Sequence, residues 1–156
     1  RAAAGAVRVD VPEVEARVGE DGRVVLERSD PGSPGHRLVS EAMILAGAVG
    51  ARFCAERGLP AIYRRQAASK PVPPQPAGDG VNYVAARALR RSMRRGEISL
   101  QPGPHAALGL PAYAQVTSPL RRYQDLAVHR QIARALAGEP PAYDVASLQR
   151  VAEQRR

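Results

Sequence analysis

A helical repeat of apolar residues in the first third of the chain constrains the fold more than any other feature. Apolar side chains recur at helical spacing at positions 38, 42, 45, 46, 49 and 53. Ser33 and Pro34 are typical of a helix start, and Gly58 followed by Pro60 is typical of a helix end. The pattern predicts one long helix whose apolar stripe faces a core, with Glu41 at the edge of that stripe.

The other segments predict a small hairpin and further helices. Partly alternating residues over 6–18 and 23–27, joined by turn formers at 19–22, predict a β-hairpin. Helical patterns follow over 81–95, 118–137 and 144–156. Asp79 is the expected cap of the first of these, and the proline-rich stretch 71–80 is expected to be a loop. We therefore expect an α+β chain with an N-terminal β-hairpin followed by mainly helical segments.

The charge of the chain favours a polyanionic partner without identifying one. Lys and Arg number 23 against 15 Asp and Glu, for a formal net charge of +8, and all but one of the basic residues are arginine. A gene whose base composition favours arginine codons is the alternative explanation. Charge alone is therefore weak grounds for a function.

Cysteine usage and hydropathy address the compartment. Cys54 is the only cysteine, so neither a disulfide framework nor a cysteine metal site can form within one chain. That suits a reducing cytoplasm, where we expect the protein. No apolar run approaches the ~20 residues that span a bilayer, so we expect no membrane partner.

A motif in the last third combines a helix start with anion-binding groups. Ser118 is a good N-cap and Pro119 suits the first helical position, so free N–H groups would face the same place as the Arg121 guanidinium. Helical spacing predicts that Asp125 holds Arg121, and that Asp125 and His129 also meet. An arginine oriented by a carboxylate is typical of a phosphate clamp.

Two segments carry a family resemblance. Residues 113–130, YAQVTSPLRRYQDLAVHR, resemble the hallmark of the RNB catalytic domain of ribonuclease II and ribonuclease R enzymes. Residues 38–46, LVSEAMILA, and 57–64, RGLPAIYR, are similar to the long RNB helix and its exit, and weaker similarities at 89–93 and around His105 lie between. RNB domains are much longer, so the resemblance implies that 1–156 is the C-terminal portion of a single RNB catalytic domain. The missing start methionine and a final segment that breaks off as helix agree with this.

The resemblance implies removal of nucleotides from the 3′ end of single-stranded RNA by metal-assisted hydrolysis. Arg121 matches the arginine that contacts the scissile phosphate, and Glu41 is the second catalytic candidate. The implied RNA-binding residues are Thr117, Ser118, Arg122, Tyr123, Tyr113, His105 and Arg91. Mg²⁺ is implied on upstream aspartates, and OB-type RNA-binding domains are implied as neighbours.

Each of these assignments has a structural alternative. Tyr123 and Tyr113 could complete a core, His105 could be a loop residue, and His129 is most simply a partner of Asp125. The arginines of the 81–95 helix could line an RNA channel or form a solvated face. They are Arg87, Arg90, Arg91, Arg94 and Arg95.

The sequence also departs from the family. Its aspartates show no close spacing that would suggest a Mg²⁺ site. Gln115 and Gln66 stand where the family usually has histidine, and Gly47 stands where asparagine is common. Three interpretations stay open, in decreasing order: part of an active exoribonuclease, a non-catalytic RNA-binding relative, and a helical domain whose basic face contacts protein.

Overall fold

The computed structural model describes residues 1–9, 11, 13–69 and 82–153. Four strands and four helices occur in this part of the chain, in the order β1, β2, α1, β3, α2, β4, α3 and α4. The strands are β1 Glu13–Val18, β2 Val24–Ser29, β3 Tyr63–Arg65 and β4 Glu97–Ser99. The helices are α1 Pro34–Glu56, α2 Tyr83–Ser92, α3 Tyr123–Leu136 and α4 Val145–Glu153. The expected α+β chain with an N-terminal hairpin and mainly helical segments is confirmed.

The hairpin forms as its turn sequence requires. Strands β1 and β2 are antiparallel, with Val18 opposite Val24. The Gly19 amide donates to the Arg23 carbonyl at 2.8 Å, and Gly22 has a φ of 74°, in the left-handed region that favours glycine. The prediction of a hairpin closed by 19–22 is confirmed.

Helix α1 starts at Pro34 and ends before Gly58, as expected, but it buries a different face. Its buried residues are Gly47, Gly50, Ala51 and Cys54, which share one side of the helix at i, i+3, i+4 and i+7. Five of the six predicted stripe positions are exposed, with Leu38 at 72% and Leu45 at 63%, and Phe53 alone among the six is partly buried against the core. The prediction was wrong because small residues, not large ones, let the helix approach the 113–116 segment.

The approach at Gly47 shows how close this contact is. A Cβ atom there would lie 2.2 Å from Cε2 of Tyr113 and 2.6 Å from the Ala114 carbonyl oxygen. The Ala114 amide donates to the Gly47 carbonyl at 3.2 Å. Only glycine fits between these groups without a shift of the neighbouring backbone.

Helix α1 also bears on the membrane question. Its 23 residues, with a mean hydropathy of 1.5 in the most apolar window, are long and apolar enough to cross a bilayer by length and composition. The expectation that no segment approaches that size was therefore wrong. One such helix is weak evidence for a membrane, because the core helix of a soluble protein meets the same criteria.

Strands β3 and β4 were not anticipated. They pair antiparallel, with Tyr63 opposite Ser99 and Arg65 opposite Glu97. Three-residue strands are too short to show alternation in a sequence. The buried Tyr63 belongs to a core formed by α1, β3, the 114 region, α3 and α4. Its members are Ala51, Cys54, Ala61, Ile62, Tyr63, Ala114, Ala127, Val128 and Leu148.

Helix α2 is shorter than the predicted 81–95 segment. Its N-cap is Asn82, whose side-chain oxygen accepts from the Ala85 amide at 2.8 Å. The proposed cap Asp79 and the proline-rich stretch 71–80 lie outside the described residues. Val84, an apolar residue of the predicted helical pattern, is 72% exposed. The five arginines of 87–95 are exposed, as both interpretations of that cluster expect.

Candidate functional site

Residues 117–122 form a turn before α3 instead of its first turn. The Ser118 carbonyl accepts from the amides of Arg121 at 3.2 Å and Arg122 at 3.0 Å, and α3 begins at Tyr123. The prediction that Ser118 caps a helix starting at Pro119 was wrong. Ser118 does not cap the helix with its side chain. Its amide instead donates to the carboxylate of Asp125, in the first turn of α3, at 2.9 Å.

The carboxylate of Asp125 holds Arg122 and not Arg121. Nε of Arg122 lies 3.0 Å from Oδ1 of Asp125, and Nη2 lies 2.7 Å from Oδ2, so the pair is bidentate. Asp125 is fully buried and the Arg122 side chain is only 17% exposed. The i, i+4 argument for Arg121 failed because residue 121 precedes the helix. Arg122, three residues before Asp125, is thus the oriented arginine.

Arg121 is left facing solvent. Its side chain is exposed and has no hydrogen-bonding or ionic partner among residues 1–9, 11, 13–69 and 82–153. Nη2 of Arg122 lies 3.4 Å from Oγ1 of Thr117, which closes the turn from the other side. The turn therefore presents one free guanidinium beside one that is locked.

His129 does not pair with Asp125. Its Nε2 lies 2.6 Å from the Val116 carbonyl oxygen. The predicted pair was wrong because the Asp125 oxygens are already occupied by Arg122 and Ser118. His129 nevertheless has a structural role, because its hydrogen bond joins α3 to the 113–116 segment.

The side chains of Tyr113 and His105 contact each other close to the Arg122–Asp125 ion pair. Their rings meet edge to face, with centroids 5.6 Å apart. Burial raises the pKa of Tyr113. The charge of Asp125 also raises this pKa, whereas the charges of Arg122 and Arg64 lower it. Tyr113 thus lies between the Arg122–Asp125 ion pair and His105.

The surroundings of His105 disfavour its protonated form. Burial lowers its pKa, and the nearby Arg64 guanidinium lowers it further. Its Nδ1 is buried and has no hydrogen-bonding partner among the described residues. His105 therefore lies in the loop that its alternative interpretation expects, but its ring is half-buried and packs against Tyr113.

Arg64 was missed as a site residue by the sequence reasoning. Its amide donates to the Tyr113 carbonyl at 2.8 Å, and its side chain borders a cavity of about 920 Å³ that also includes Arg95. Neither guanidinium has a partner in the described part of the chain. The Tyr63-Arg64 pair in the family-like 57–64 segment was the available signal.

Gln66 has a structural use that explains its presence. Its Nε2 donates to the Arg94 carbonyl at 2.6 Å, and its Oε1 accepts from the Ala107 amide at 3.1 Å. The side chain is 8% exposed and joins β3 to the end of the arginine-rich α2 segment and to the 106–108 turn. The substitution therefore leaves no unpaired amide group at this position.

Glu41 lies in a separate setting. It forms a bidentate ion pair with Arg1, whose Nε lies 2.9 Å from Oε2 of Glu41, and the Arg1 Nη1 donates to the Leu108 carbonyl at 3.0 Å. The hydrogen bond from Arg1 lowers the pKa of Glu41. The carboxylate borders an apolar cavity of about 430 Å³ that includes Leu45 and Leu110. Its hydrogen bonds go to Arg1, so the structure does not pair it with the arginines of the turn.

Tyr123 and Arg91 remain accessible. Tyr123 is 48% exposed at the start of α3, and its hydroxyl lies 3.1 Å from that of Tyr143. Arg91 is exposed on α2, with no partner for its side chain within the described ranges. The core interpretation of Tyr123 is thus not supported, and Tyr113 is half-buried against His105 without being a member of the buried core.

The described residues do not fit a metal centre. Within them, no group of three or more His, Cys, Asp or Glu side chains is arranged to hold an ion. The buried Asp125 is committed to Arg122 and to the Ser118 amide. A Mg²⁺ ion needs several oxygen ligands, which this part of the chain does not bring together.

Sequence comparisons agree with the motifs. The RNB domain family model matches residues 1–84 and 75–138. An uncharacterized ribonuclease of Synechocystis sp. is 38% identical over 156 residues, covering 97% of this chain and 23% of that protein. Exoribonuclease 2 of Cronobacter sakazakii is 31% identical over 178 residues, covering 94% of this chain and 28% of its own length.

Structural comparisons give the same fold. An RNase R of Mycoplasma genitalium in complex with double-stranded RNA superimposes with a TM-score of 0.70 at 18% identity, over 97% of this chain and 32% of that one. Yeast Ssd1, a pseudonuclease, matches with a TM-score of 0.65 at 22% identity, over 77% of this chain and 19% of its own. Likeness at these identities shows the fold alone.

The extent of the matches defines what they establish. The chain spans about a quarter of the length of the Synechocystis and Cronobacter relatives, at 23% and 28%. The family model nevertheless covers most of the chain, including the 117–122 turn and the start of α3. This chain therefore belongs to the RNB domain family.

Proposed function

We propose that the complete protein containing this chain is an exoribonuclease that degrades single-stranded RNA from its 3′ end to nucleoside monophosphates. Membership of the RNB family and the 31% identity to a bacterial exoribonuclease 2 support the reaction class. This chain would supply phosphate-binding arginines and part of the wall of the RNA channel. The rest of the domain and flanking OB-type domains would complete the enzyme in the cytoplasm.

The observation that carries this proposal is the contrast between two adjacent arginines. Arg122 is fixed by the buried Asp125, whereas Arg121 is exposed and unpaired within the described residues. The turn fixes the backbone of Arg121 before a phosphate binds, so little backbone freedom is lost on binding. Arg121 would donate to the scissile phosphate and stabilise charge on its oxygens as the bond breaks.

The neighbouring groups suit the adjacent phosphates and bases. The hydroxyl groups of Thr117 and Ser118 lie on the same turn and can donate to phosphate oxygens. Tyr113 and His105 provide a packed aromatic wall, and the exposed Arg91 would bind phosphate further along the channel. Glu41, held by Arg1, would act at the reacting nucleotide only after exchange of that partner.

The proposed Mg²⁺ would be held outside this chain. The described residues do not fit its ligand set, so the aspartates would come from the upstream part of the domain. When bound, Mg²⁺ supplies a polarised water and neutralises phosphate charge. The residues of this chain bind and orient the RNA.

A non-catalytic RNA-binding protein is the second candidate, because the pseudonuclease Ssd1 shares the fold. Two substitutions that suggested lost function have structural explanations. Gln66 is fully bonded, and Gly47 is needed for the approach of Tyr113. Gln115 has no such explanation in the structure. The 117–122 turn, with its exposed Arg121 and its Arg122–Asp125 ion pair, therefore favours the enzyme.

The test is Arg121→Lys in the complete protein. Lysine keeps the charge but loses the planar fork, so the single-turnover rate should fall roughly a hundredfold, about 3 kcal/mol, with little loss of RNA affinity. Arg134→Lys is the matched control, because Arg134 lies on α3 but is engaged with Glu139. A near-normal rate in Arg121→Lys would show that Arg121 is not the phosphate clamp.

A further inference from the structure

Three polar side chains meet on the outer face of α3, beside the 117–122 turn. The hydroxyl oxygens of Tyr123 and Tyr143 are 3.1 Å apart, and Nη1 of Arg130 lies 2.6 Å from the Tyr143 hydroxyl. Tyr123 and Arg130 are seven residues apart on one helix, so they share a face. Tyr143 comes from the segment that precedes α4. We call these three residues the tyrosine cluster.

The cluster is supported from below by a buried glutamine. Gln131 is fully buried, and its amide group donates to the Tyr143 carbonyl at 2.9 Å and accepts from the Tyr143 amide at 3.0 Å. The same Nε2 donates to the Pro60 carbonyl at 2.7 Å. The backbone of Tyr143 is therefore fixed to α3 and to the segment before β3. A surface that is rigid before binding loses little entropy when a ligand arrives.

The hydroxyl groups have an unequal arrangement. The hydrogen bond with Tyr123 lowers the pKa of Tyr143, and Arg130 lowers it further. The same bond raises the pKa of Tyr123. Either hydroxyl can donate in the Tyr123–Tyr143 hydrogen bond, and Nη1 of Arg130 donates to Tyr143. In both arrangements one of the two hydroxyl hydrogens is left to donate to a ligand.

The accessible surface of the cluster is aromatic and cationic. Tyr123 is 48% exposed, and Arg130 is exposed, with its Nη1 donating to the Tyr143 hydroxyl. The unpaired Arg121 lies two residues before Tyr123. An exposed ring between guanidinium groups is the arrangement that single-stranded nucleic acids use, with base on ring and phosphate on cation. An acidic peptide would need the cations but not the ring.

We propose that the tyrosine cluster binds one nucleotide of single-stranded RNA, with its base stacked on Tyr123 and its phosphate on Arg130. The Tyr143 hydroxyl positions the Tyr123 ring, and the hydroxyl hydrogen that the pair leaves unused donates to the same nucleotide. This inference rests on the proposed function and adds a binding position next to Arg121. Tyr143 lies beyond residue 138, where the RNB family match ends.

The experiment measures equilibrium RNA binding by the complete protein without divalent metal, so that catalysis does not contribute. Fluorescence anisotropy would follow a labelled single strand with Tyr123→Leu, Tyr123→Phe and Arg130→Gln. Loss of one base stack should weaken binding roughly 5- to 100-fold in Tyr123→Leu. Tyr123→Phe keeps the ring and should stay within about threefold. Arg134→Gln, one turn further along α3, is the control and should bind normally.

A second arm separates base stacking from a general loss of charge or folding. A single abasic nucleotide, moved along the strand, should weaken binding to the parent protein most at one position, and Tyr123→Leu should abolish that dependence. Arg130→Gln should make the salt dependence shallower by about 0.7 units, whereas Tyr123→Leu should not change it. Tyr123→Leu with unchanged affinity, or with equal loss on intact and abasic strands, would overturn the proposal.

The two hypotheses can fail separately. If the complete protein does not degrade RNA but Tyr123→Leu still removes the abasic dependence, the exoribonuclease assignment fails and the tyrosine cluster stands. If the protein degrades RNA and Tyr123→Leu binds like the parent, the cluster fails alone.

Discussion

Replacement of Asp125 by Asn tests whether the buried ion pair builds the 117–122 turn. Asp125 is fully buried, pairs bidentately with Arg122, and accepts from the Ser118 amide. Asparagine keeps an oxygen for Ser118 but presents a neutral group to a guanidinium that is only 17% exposed. Removing one charge of a buried pair costs about 3–5 kcal/mol, because the other charge stays buried without compensation.

The control is an ion pair of nearly equal length on the surface. Nε of Arg134 lies 2.8 Å from Oε2 of Glu139, and the closest Arg122–Asp125 contact is 2.7 Å. The side chains of Arg134 and Glu139, however, are 46% and 50% exposed. Solvent screening leaves such pairs worth about 0–1 kcal/mol. Glu139→Gln should therefore cost far less than Asp125→Asn, although the distances are almost the same.

Urea unfolding of the chain, followed by circular dichroism, would measure both. With a slope of about 1–3 kcal/mol per molar urea, Asp125→Asn should lower the midpoint by about 1 M or more, or abolish the cooperative transition. At the same slope Glu139→Gln should shift it by at most about a third as much. Equal shifts in the two variants would refute the argument that burial, and not distance, sets the value of the Arg122–Asp125 pair.

The remaining predictions concern activity, binding and ionisation. The purified chain alone should release no nucleoside monophosphate from a 3′-labelled strand in Mg²⁺, because its described residues do not fit a Mg²⁺ site; persistent release after further purification would contradict this. RNA binding by the complete protein should weaken with salt at a slope near −3 if about four arginines reach phosphates, and neutralising Arg121 with Arg122 should make it shallower by roughly one unit; a salt-independent affinity would favour a protein contact. Arg1→Ala should raise the lowered pKa of Glu41 in a carbon NMR titration, and the stabilisation by this pair, present above the usual glutamate pKa, is lost as pH falls through the lowered value; an unchanged pKa would contradict the pairing.

Local signals in the sequence predicted the boundaries of elements well. The turn formers at 19–22 defined the hairpin, and Pro34 with Gly58 bracketed α1 to within two residues. These features act through backbone conformation, which neighbouring residues determine. The RNB resemblance was carried by motif letters, and the family match confirms it.

Contacts between distant residues were not predictable in the same way. The face that α1 buries depends on the 113–116 segment, and small residues such as Gly47 and Ala51 give no strong signal in an apolar repeat. The start of α3 depends on Asp125, whose carboxylate reaches back to Ser118 and Arg122. Sequence spacing identified the right groups in the turn but paired Asp125 with the wrong arginine.

Gly47 shows why a departure from a family pattern needs the structure before it is counted as lost function. From sequence, glycine in place of asparagine removes a polar group near a cleft. In the structure, any Cβ at this position would overlap the Tyr113 ring and the Ala114 carbonyl, so glycine and the inward placement of Tyr113 depend on each other. Tyr113 in turn packs against His105 and beside the charges of Arg122 and Asp125. The substitution therefore allows Tyr113 to pack against His105 close to the turn that presents Arg121, which is the arrangement that the proposed RNA-binding site requires.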